Sequence, residues 1–271
     1  KKDTSEKYEY ILPSATYSKN IVNGDSIGNI DFTSNFKIEN NDTNKTKKTL
    51  INDFSWGFKD LFFENGVKSR IFSEVKNVNY DSKNIEGLKS DQTSEVFGAL
   101  GYLSEIDFYK DFNEYNRHLF TPKILLRYAP GNMKQETTGG RINDLNIFTL
   151  NRTPSNDNFE SGLSTTLGFN YEIDSKEKKF LFSGGQVINQ KENKKMSSES
   201  SLDEKVSDFV GSANFNYNKK FNFDYKFALD QNYKDLNYND LNTTINFNSV
   251  DLNFNYLKET KHYGQKEYFE T

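Results

Sequence analysis

The chain has 271 residues, of which 35 are basic and 39 acidic, so the formal net charge is -4. This slight acidic excess gives no basic footprint for nucleic acid, and the absence of cysteine excludes disulfides and thiolate metal sites. The mean hydropathy of -0.85 and the lack of a long apolar run exclude a transmembrane helix. They do not exclude a membrane barrel, because its strands need only every second residue to be apolar.

Alternating apolar and polar residues predict β-strands throughout the chain, and no segment has the apolar spacing of a helix. A tight turn is predicted at Glu64-Asn65-Gly66, an exposed loop at Asn40–Lys48 and a second long loop at Lys191–Lys205. A further short turn is expected at Asp174–Lys178. The predicted strands cover residues 8–21, 27–38, 50–58, 66–80, 96–109, 118–128, 145–150, 162–173 and 180–189, with an alternating series from Phe209 onward.

The alternating series places aromatic side chains on one face and polar side chains on the other. Phe223 and Tyr225, for example, alternate with Asp224 and Lys226. With 24 Phe and 16 Tyr but only 4 Pro, this pattern is typical of an outer-membrane barrel. We therefore predict an all-β, antiparallel, up-and-down transmembrane β-barrel. A large secreted β-protein is the alternative. In a barrel, the polar face would line the lumen with Lys226, Asp224, Asn253 and Asp251.

The sequence contains little that suggests catalysis or a cofactor. Its histidines, His118 and His262, have no spacing that metal or nucleophilic chemistry requires, and His118 is predicted to be a solvated residue at a strand entry. Trp56 and the tyrosines would form interfacial girdles in a barrel, or else pack across strands as in any sheet. No enzyme activity, catalytic residue, metal site or cofactor is predicted.

Short motifs go beyond this periodicity. Leu12-Pro13 opens a strand, residues 119–130 read Leu-Phe-Thr-Pro-Lys-Ile-Leu-Leu-Arg-Tyr-Ala-Pro, and Asn151-Arg152 and Gly185-Gln186 follow. In order and spacing, these motifs resemble the outer-membrane LPS-assembly family LptD, also called the organic solvent tolerance family. Residues 153–159 lack the arginine of the commoner family pattern, which weakens the expectation of an ion pair in that loop. The markers, interpreted as specifying the fold, are Pro122, Tyr128, Pro130, Asn151, Arg152, Glu160, Gly162, Gly168, Gly185 and Gln186.

The resemblance implies that residues 1–271 are the middle part of one very large C-terminal β-barrel, of ~26 strands. A periplasmic N-terminal domain and the seam strands would lie outside this piece. The implied function is insertion of lipopolysaccharide (LPS) into the outer leaflet of the Gram-negative outer membrane. The implied partners are LPS, the lipoprotein plug LptE, the periplasmic bridge protein LptA and outer-membrane lipid. A general porin or solute-uptake barrel is the main alternative, followed by an outer-membrane hydrolase and a soluble adhesin or carbohydrate-binding protein.

Overall fold

The computed structural model describes residues 9–24, 26–41, 45–85, 90–113, 115–136, 140–218, 220–247, 250–261 and 266–270. Within these ranges the chain forms an antiparallel sheet of fifteen strands and one 3₁₀ turn at Ser198–Ser200. The all-β prediction is therefore confirmed. In the same ranges, no helix is long and apolar enough to cross a membrane.

Strand lengths range from short pieces to seventeen residues. The strands are β1 (Glu9–Gly24), β2 (Gly28–Asn41), β3 (Thr46–Gly57), β4 (Leu61–Phe62), β5 (Val67–Lys83), β6 (Thr93–Ile106), β7 (Phe108–Asn113), β8 (Asn116–Ala129), β9 (Gly162–Ser175), β10 (Lys178–Asn189), β11 (Phe209–Tyr217), β12 (Phe221–Leu229), β13 (Leu236–Phe247), β14 (Val250–Glu259) and β15 (Lys266–Glu270). The chain divides into two compact units. Unit 1 is Lys1–Lys59 with Ile71–Leu100, and unit 2 is Asp60–Arg70 with Gly101–Thr271.

In unit 1, β1, β2, β3 and β5 pair in sequence. The register of β1 against β2 shifts between Ile11 and Ser14, so Pro13 lies at a bulge, where a residue without an N–H is tolerated. The predicted loop at 40–48 was wrong at its ends, because β2 extends to Asn41 and β3 begins at Thr46. Cross-strand pairing explains the extension, since Lys48 lies opposite Asp81 with 3.5 Å between their charged atoms.

In unit 2, the strands β8 to β15 present two different faces. The aromatic face carries the large exposed apolar side chains of these strands, and the opposite face, here called the covered face, carries mainly polar and small residues. On β8, for example, Ile124 and Leu126 are exposed on the aromatic face, whereas Leu125 and Arg127 are buried on the covered face. The predicted alternation is confirmed for this unit.

Glycines let other groups approach the strand backbone closely. On the covered face, Gly168 lies opposite Gly185, and a Cβ atom at position 168 would lie 2.8 Å from the ring of Phe148. On the aromatic face, the ring of Phe209 lies over Gly184 in the same way, 2.7 Å from where a Cβ would stand. Each glycine therefore lets an aromatic ring pack directly on the strand backbone, an arrangement that fixes strand register.

We expect Gly168→Ala to destabilise the full-length protein by about 1–3 kcal/mol, the usual cost of overpacking. The new methyl group would also meet the Gly184 carbonyl oxygen at 2.5 Å, and backbone cannot move aside as a flexible side chain can. Thermal unfolding followed by heat-dependent gel mobility would measure the effect. Gly57→Ala is the control, because no atom lies within 4 Å of its Cβ position. Equal unfolding midpoints for the two variants would contradict the proposed packing of Phe148 on Gly168.

Candidate functional site

Long connections lie against the covered face of unit 2. The 130–161 loop joins β8 to β9, and the 190–208 loop joins β10 to β11. The second was predicted as a loop at Lys191–Lys205, and that prediction is confirmed. The site described below is the volume between these loops and the strands.

The strand predicted at 145–150 was wrong, because this segment is a series of turns. The side chain of Asn143 accepts hydrogen bonds from the backbone N–H groups of Leu145 at 2.9 Å and Asn146 at 3.0 Å. The carbonyl of Asn143 also accepts from the N–H of Ile147 at 3.1 Å. An asparagine that satisfies its own neighbours offers the backbone an alternative to a strand ladder.

An apolar core holds both loops against the strands. Met133, Ile142 and Ile147 of the first loop and Met196 and Leu202 of the second are at most 2% exposed. They pack against strand residues of the covered face, namely Val187, Val210, Ala228 and Tyr238. The loops are therefore part of the folded core of unit 2.

A buried ion cluster anchors the end of the 130–161 loop. The guanidinium of Arg152 donates two hydrogen bonds to the carboxylate of Glu160, from Nε at 2.8 Å and from Nη2 at 2.5 Å. A second arginine, Arg127 of β8, lies 3.6 Å from the same carboxylate and donates through Nε to the Leu150 carbonyl at 2.6 Å. The side chains of all three charged residues are at most 3% exposed. An ion pair does form at this loop, with Arg152 rather than a later residue supplying the guanidinium.

Hydroxyl groups of β9 complete the cluster. Arg152 donates to Ser164 Oγ at 3.1 Å and to Thr166 Oγ1 at 3.5 Å. The hydroxyl of Thr166 in turn donates to the Ile147 carbonyl at 3.3 Å. Because a buried charge is tolerated only when it is paired and hydrogen-bonded, these contacts fix both the ion pair and the loop that carries it.

The pKa of Glu160 reflects two opposing effects. Burial of the carboxyl group alone would raise the pKa. The charges of Arg127 and Arg152, together with hydrogen bonds from Arg152, outweigh burial and hold the pKa below its ordinary value of 4.5. Glu160 is therefore ionised in the folded protein at neutral pH.

Asparagine side chains organise the rest of the 130–161 loop. Asn151 Oδ1 accepts a hydrogen bond from the N–H of Glu160 at 3.2 Å. This bond joins the two ends of the segment 151–160. The buried side chain of Asn158 bonds both the N–H and the carbonyl of Lys134, at 3.0 and 3.2 Å, as a neighbouring strand would. It also donates to Glu136, which accepts from Ser155 at 2.8 Å.

The two loops are hydrogen-bonded to each other. The N–H of Glu136 donates to the Lys195 carbonyl at 2.8 Å, and the ammonium of Lys195 donates to the Met133 carbonyl at 3.0 Å. Asn193 donates to the Ser161 carbonyl at 3.1 Å. The loops therefore form one cover over the strands rather than two independent ones.

A cavity of about 450 Å³ remains between the turn at 144–148 and the strands of unit 2. Its apolar wall includes Leu103, Leu181 and Phe148. Its hydroxyl groups include Ser183 and Ser212, which lie 2.9 Å apart, and Ser212 donates to Asp144 at 2.7 Å.

Charged side chains of both signs line this cavity and pair with one another. Lys68 lies 3.1 Å from Asp60 and 3.4 Å from Glu105, and Lys123 lies 3.7 Å from the same glutamate. Arg70 also lines the cavity. Paired charges beside hydroxyl groups make this cavity polar and give it both hydrogen-bond donors and acceptors.

The structure brings several marker residues together and leaves others apart. Asn151, Arg152 and Glu160 meet in the buried ion cluster, and Gly168 and Gly185 lie opposite each other beneath Phe148 and Ile147. The remaining markers are structural in placement. Gly162 opens β9 with a φ of 119°, Pro130 follows the last residue of β8, Tyr128 is exposed on the aromatic face, and Gln186 donates to the Ser207 carbonyl at 2.8 Å.

Two residues of β8, Pro122 and His118, have surroundings that the sequence did not fully predict. Pro122 is inside the strand, and the adjacent Thr121 donates at 2.6 Å to Asp107, where strand pairing breaks between β6 and β7. His118 was predicted as solvated, but it is half-buried and its Nδ1 lies 2.7 Å from Tyr171 Oη. His262 lies outside the described residues.

Sequence reasoning missed Arg127 as a site residue. Its signal is a charged residue within the apolar run Ile124–Tyr128, at a position that alternation assigns to the buried face. A lone arginine in such a run requires a buried carboxylate or several carbonyl partners.

We expect Arg152→Ala to lower the stability of the full-length protein by about 3–5 kcal/mol, the usual cost of removing one partner from a buried pair. Urea unfolding of the detergent-solubilised protein would measure it. Arg117→Gln is the matched control, because Arg117 forms an exposed pair with Asp111 at 2.7 Å and such pairs contribute little. Equal losses in the two variants would refute the anchoring role of Arg152.

Stability should also depend on pH through Glu160. A carboxyl group whose pKa is lowered by folding stabilises the folded state above its unfolded pKa, 4.5 here, and loses that contribution as the pH falls through the folded pKa. We expect Glu160→Gln to be less stable than the wild type at neutral pH, with a difference that shrinks as the pH falls below 4.5. Unfolding midpoints across this range would test it, with Glu177→Gln as an exposed control. A pH-independent difference would be inconsistent with the assigned ion pair.

Residues 2–270 match the protein-family model LptD, described as LPS transport system D. The comparison with curated proteins gives no match. The family match covers all the marker residues, so the resemblance drawn from them is confirmed. Proteins of this family are components of LPS transport to the outer membrane, and the family is not one of enzymes. The chain belongs to the LptD family, LPS transport system D.

Proposed function

We propose that this chain is the middle part of a single outer-membrane β-barrel, in a translocon component that inserts LPS into the outer leaflet. The observation that carries the proposal is the contrast between the faces of unit 2. One face presents exposed aromatic and aliphatic side chains, and the other is polar and covered by anchored loops. A strand that separates lipid from a polar interior needs this contrast.

The aromatic face is suited to lipid. Phe120, Phe169, Phe182 and Phe227 follow one another across the strands, with ring centroids 5.7, 5.4 and 6.4 Å apart. Leu126 and Leu167, on neighbouring strands, are each 46% exposed. An exposed apolar surface of this extent requires a membrane or a partner to cover it.

The covered face is suited to the sugar and phosphate groups of LPS. The cavity beneath the 130–161 loop offers hydroxyl groups and paired charges, and strands beyond the loops carry half-exposed polar side chains. Asn214 and Asp224, for example, are joined by a hydrogen bond of 3.3 Å. Polar head groups would move along this face while the acyl chains remain in lipid.

The proposed partners follow from membership of the family. The lipoprotein LptE would plug the barrel against the half-exposed polar face of β11 to β14, and LptA would deliver LPS from the periplasm. A periplasmic domain and the seam strands would be supplied by the rest of the protein. The lumen residues expected from the sequence include Asp224 and Lys226, whose charged atoms lie 3.8 Å apart.

A general porin or solute-uptake barrel is the alternative function. It would share the two-faced strands, but an open diffusion channel does not need a cover with its own apolar core and a buried ion cluster. The anchored loops therefore favour the translocon.

Depletion of the full-length protein in its own host tests the proposal. We expect newly made LPS to accumulate at the inner membrane or in the periplasm, because its route to the surface is lost. The fraction of newly labelled LPS that reacts with a membrane-impermeant reagent would measure how much LPS has reached the cell surface.

Complementation provides the controls. The wild type and Arg117→Gln should restore surface LPS, and Arg152→Ala should restore less because its loop cover is released. Normal surface LPS after depletion, together with altered solute permeability, would refute the translocon and support the porin.

A further inference from the structure

A cleft of about 510 Å³ lies at the end of unit 2 where short turns join the strands. This end is opposite the one that carries the 130–161 and 190–208 loops, since successive turns alternate between the two ends of the strands. The volume is within the ~300–1,000 Å³ of small-ligand sites.

The floor of the cleft is apolar and belongs to the aromatic face. Ile173, Phe180 and Phe215 line it, and they are cross-strand neighbours on β9, β10 and β11. Because they share the face that carries the exposed apolar side chains, the cleft opens where the sheet would meet lipid.

Two exposed lysines stand at the mouth of the cleft. The ammonium of Lys176 lies 5.7 Å from the ring of Tyr115, and that of Lys178 lies 5.8 Å from the ring of Tyr217. Within the described part of the chain, neither ammonium forms a salt bridge with a carboxylate. Among the described residues of the lining, Glu177 is the acidic one, so the two lysines leave an excess of positive charge within that set.

Neighbouring cationic side chains, by contrast, are paired with carboxylates. Lys179 pairs with Glu172 at 2.9 Å, and Arg117 pairs with Asp111 at 2.7 Å. The tyrosine rings hold Lys176 and Lys178 in place without neutralising them, which leaves both charges available to an anion.

A polar side chain also lines the cleft. Asn116 lines it, and the buried side-chain oxygen of Asn116 accepts no hydrogen bond from any residue that the structure describes. The side-chain amide of Asn116 therefore adds a polar group to the lining of the cleft.

We propose that this cleft binds an anionic phospholipid. The phosphate would contact Lys176 and Lys178, a head-group hydroxyl would reach Asn116, and the first part of an acyl chain would lie on Phe180 and its neighbours. In outer-membrane barrels the short turns face the periplasm, where the leaflet consists of phospholipid, so the occupant is a phospholipid rather than LPS. The inference rests on the proposed membrane location.

Native mass spectrometry of the full-length protein in detergent, with added phosphatidylglycerol or phosphatidylcholine, tests this site. We expect the wild type to retain phosphatidylglycerol in preference. The double substitution Lys176→Gln with Lys178→Gln should lower its affinity at least about fivefold, given the usual effect of basic residues near anionic lipid. Lys176→Arg with Lys178→Arg should retain binding, which separates loss of charge from misfolding.

Lys191→Gln with Lys194→Gln, on the 190–208 loop at the opposite end, is the matched control and should bind as the wild type does. Equal affinity in the wild type and the Lys176/Lys178 glutamine variant would overturn the proposal, as would equal retention of the two lipids. Purified LPS that displaces phosphatidylglycerol from the wild type only would also overturn it. Surface LPS after depletion is a separate readout, so failure of this site is distinguishable from failure of the proposed function.

Discussion

The buried contact among Arg127, Arg152 and Glu160 is the constraint on which the cover of unit 2 depends. Two guanidinium groups share one carboxylate, and the surplus charge is met by backbone carbonyls and by hydroxyls of β9. Such a cluster is stable only in a narrow geometry, since a shift of any member leaves a charge buried without a partner. It therefore holds residues 150–160 at one place on the strands. Because the cavity lies beneath this loop, the ion cluster also determines where the cavity is.

The strand surface is shaped to receive what the anchor holds. Gly168 and Gly185 remove side chains at the point where Phe148 and Ile147 approach, so the loop turn lies almost on the backbone. On the other face, phenylalanine rings cover Gly184 and Gly211. The same structural device serves both faces, because a ring over a glycine keeps the packing continuous where a side chain is missing.

Periodicity predicted the strands well because alternation is a local property that pairing across the sheet preserves. The faces of β8 to β14 follow directly from it. The turns at 145–150 were not predicted, because Leu145 and Ile147 flank Asn146 as in a strand while the side chain of Asn143 binds the backbone N–H groups. Arg127 was missed since its partners are 23 and 33 residues away, and no local pattern reports such a contact. Asn151, Arg152 and Glu160 were found through the family motif alone, and their meeting point became visible only in three dimensions.

The contacts of the 130–161 loop also set an order of assembly. Asp144 accepts from Ser212, 68 residues later, and Arg141 lies 3.4 Å from Glu259, 118 residues later. The loop cannot reach its final position until β11 and β14 have joined the sheet. Such distant contacts form slowly, because a long segment of chain must be ordered before they are made. The ion cluster of Arg152 and Glu160 can form once β8 and β9 are paired, whereas the cover closes fully only after the later strands arrive, and that closure completes the folding of unit 2.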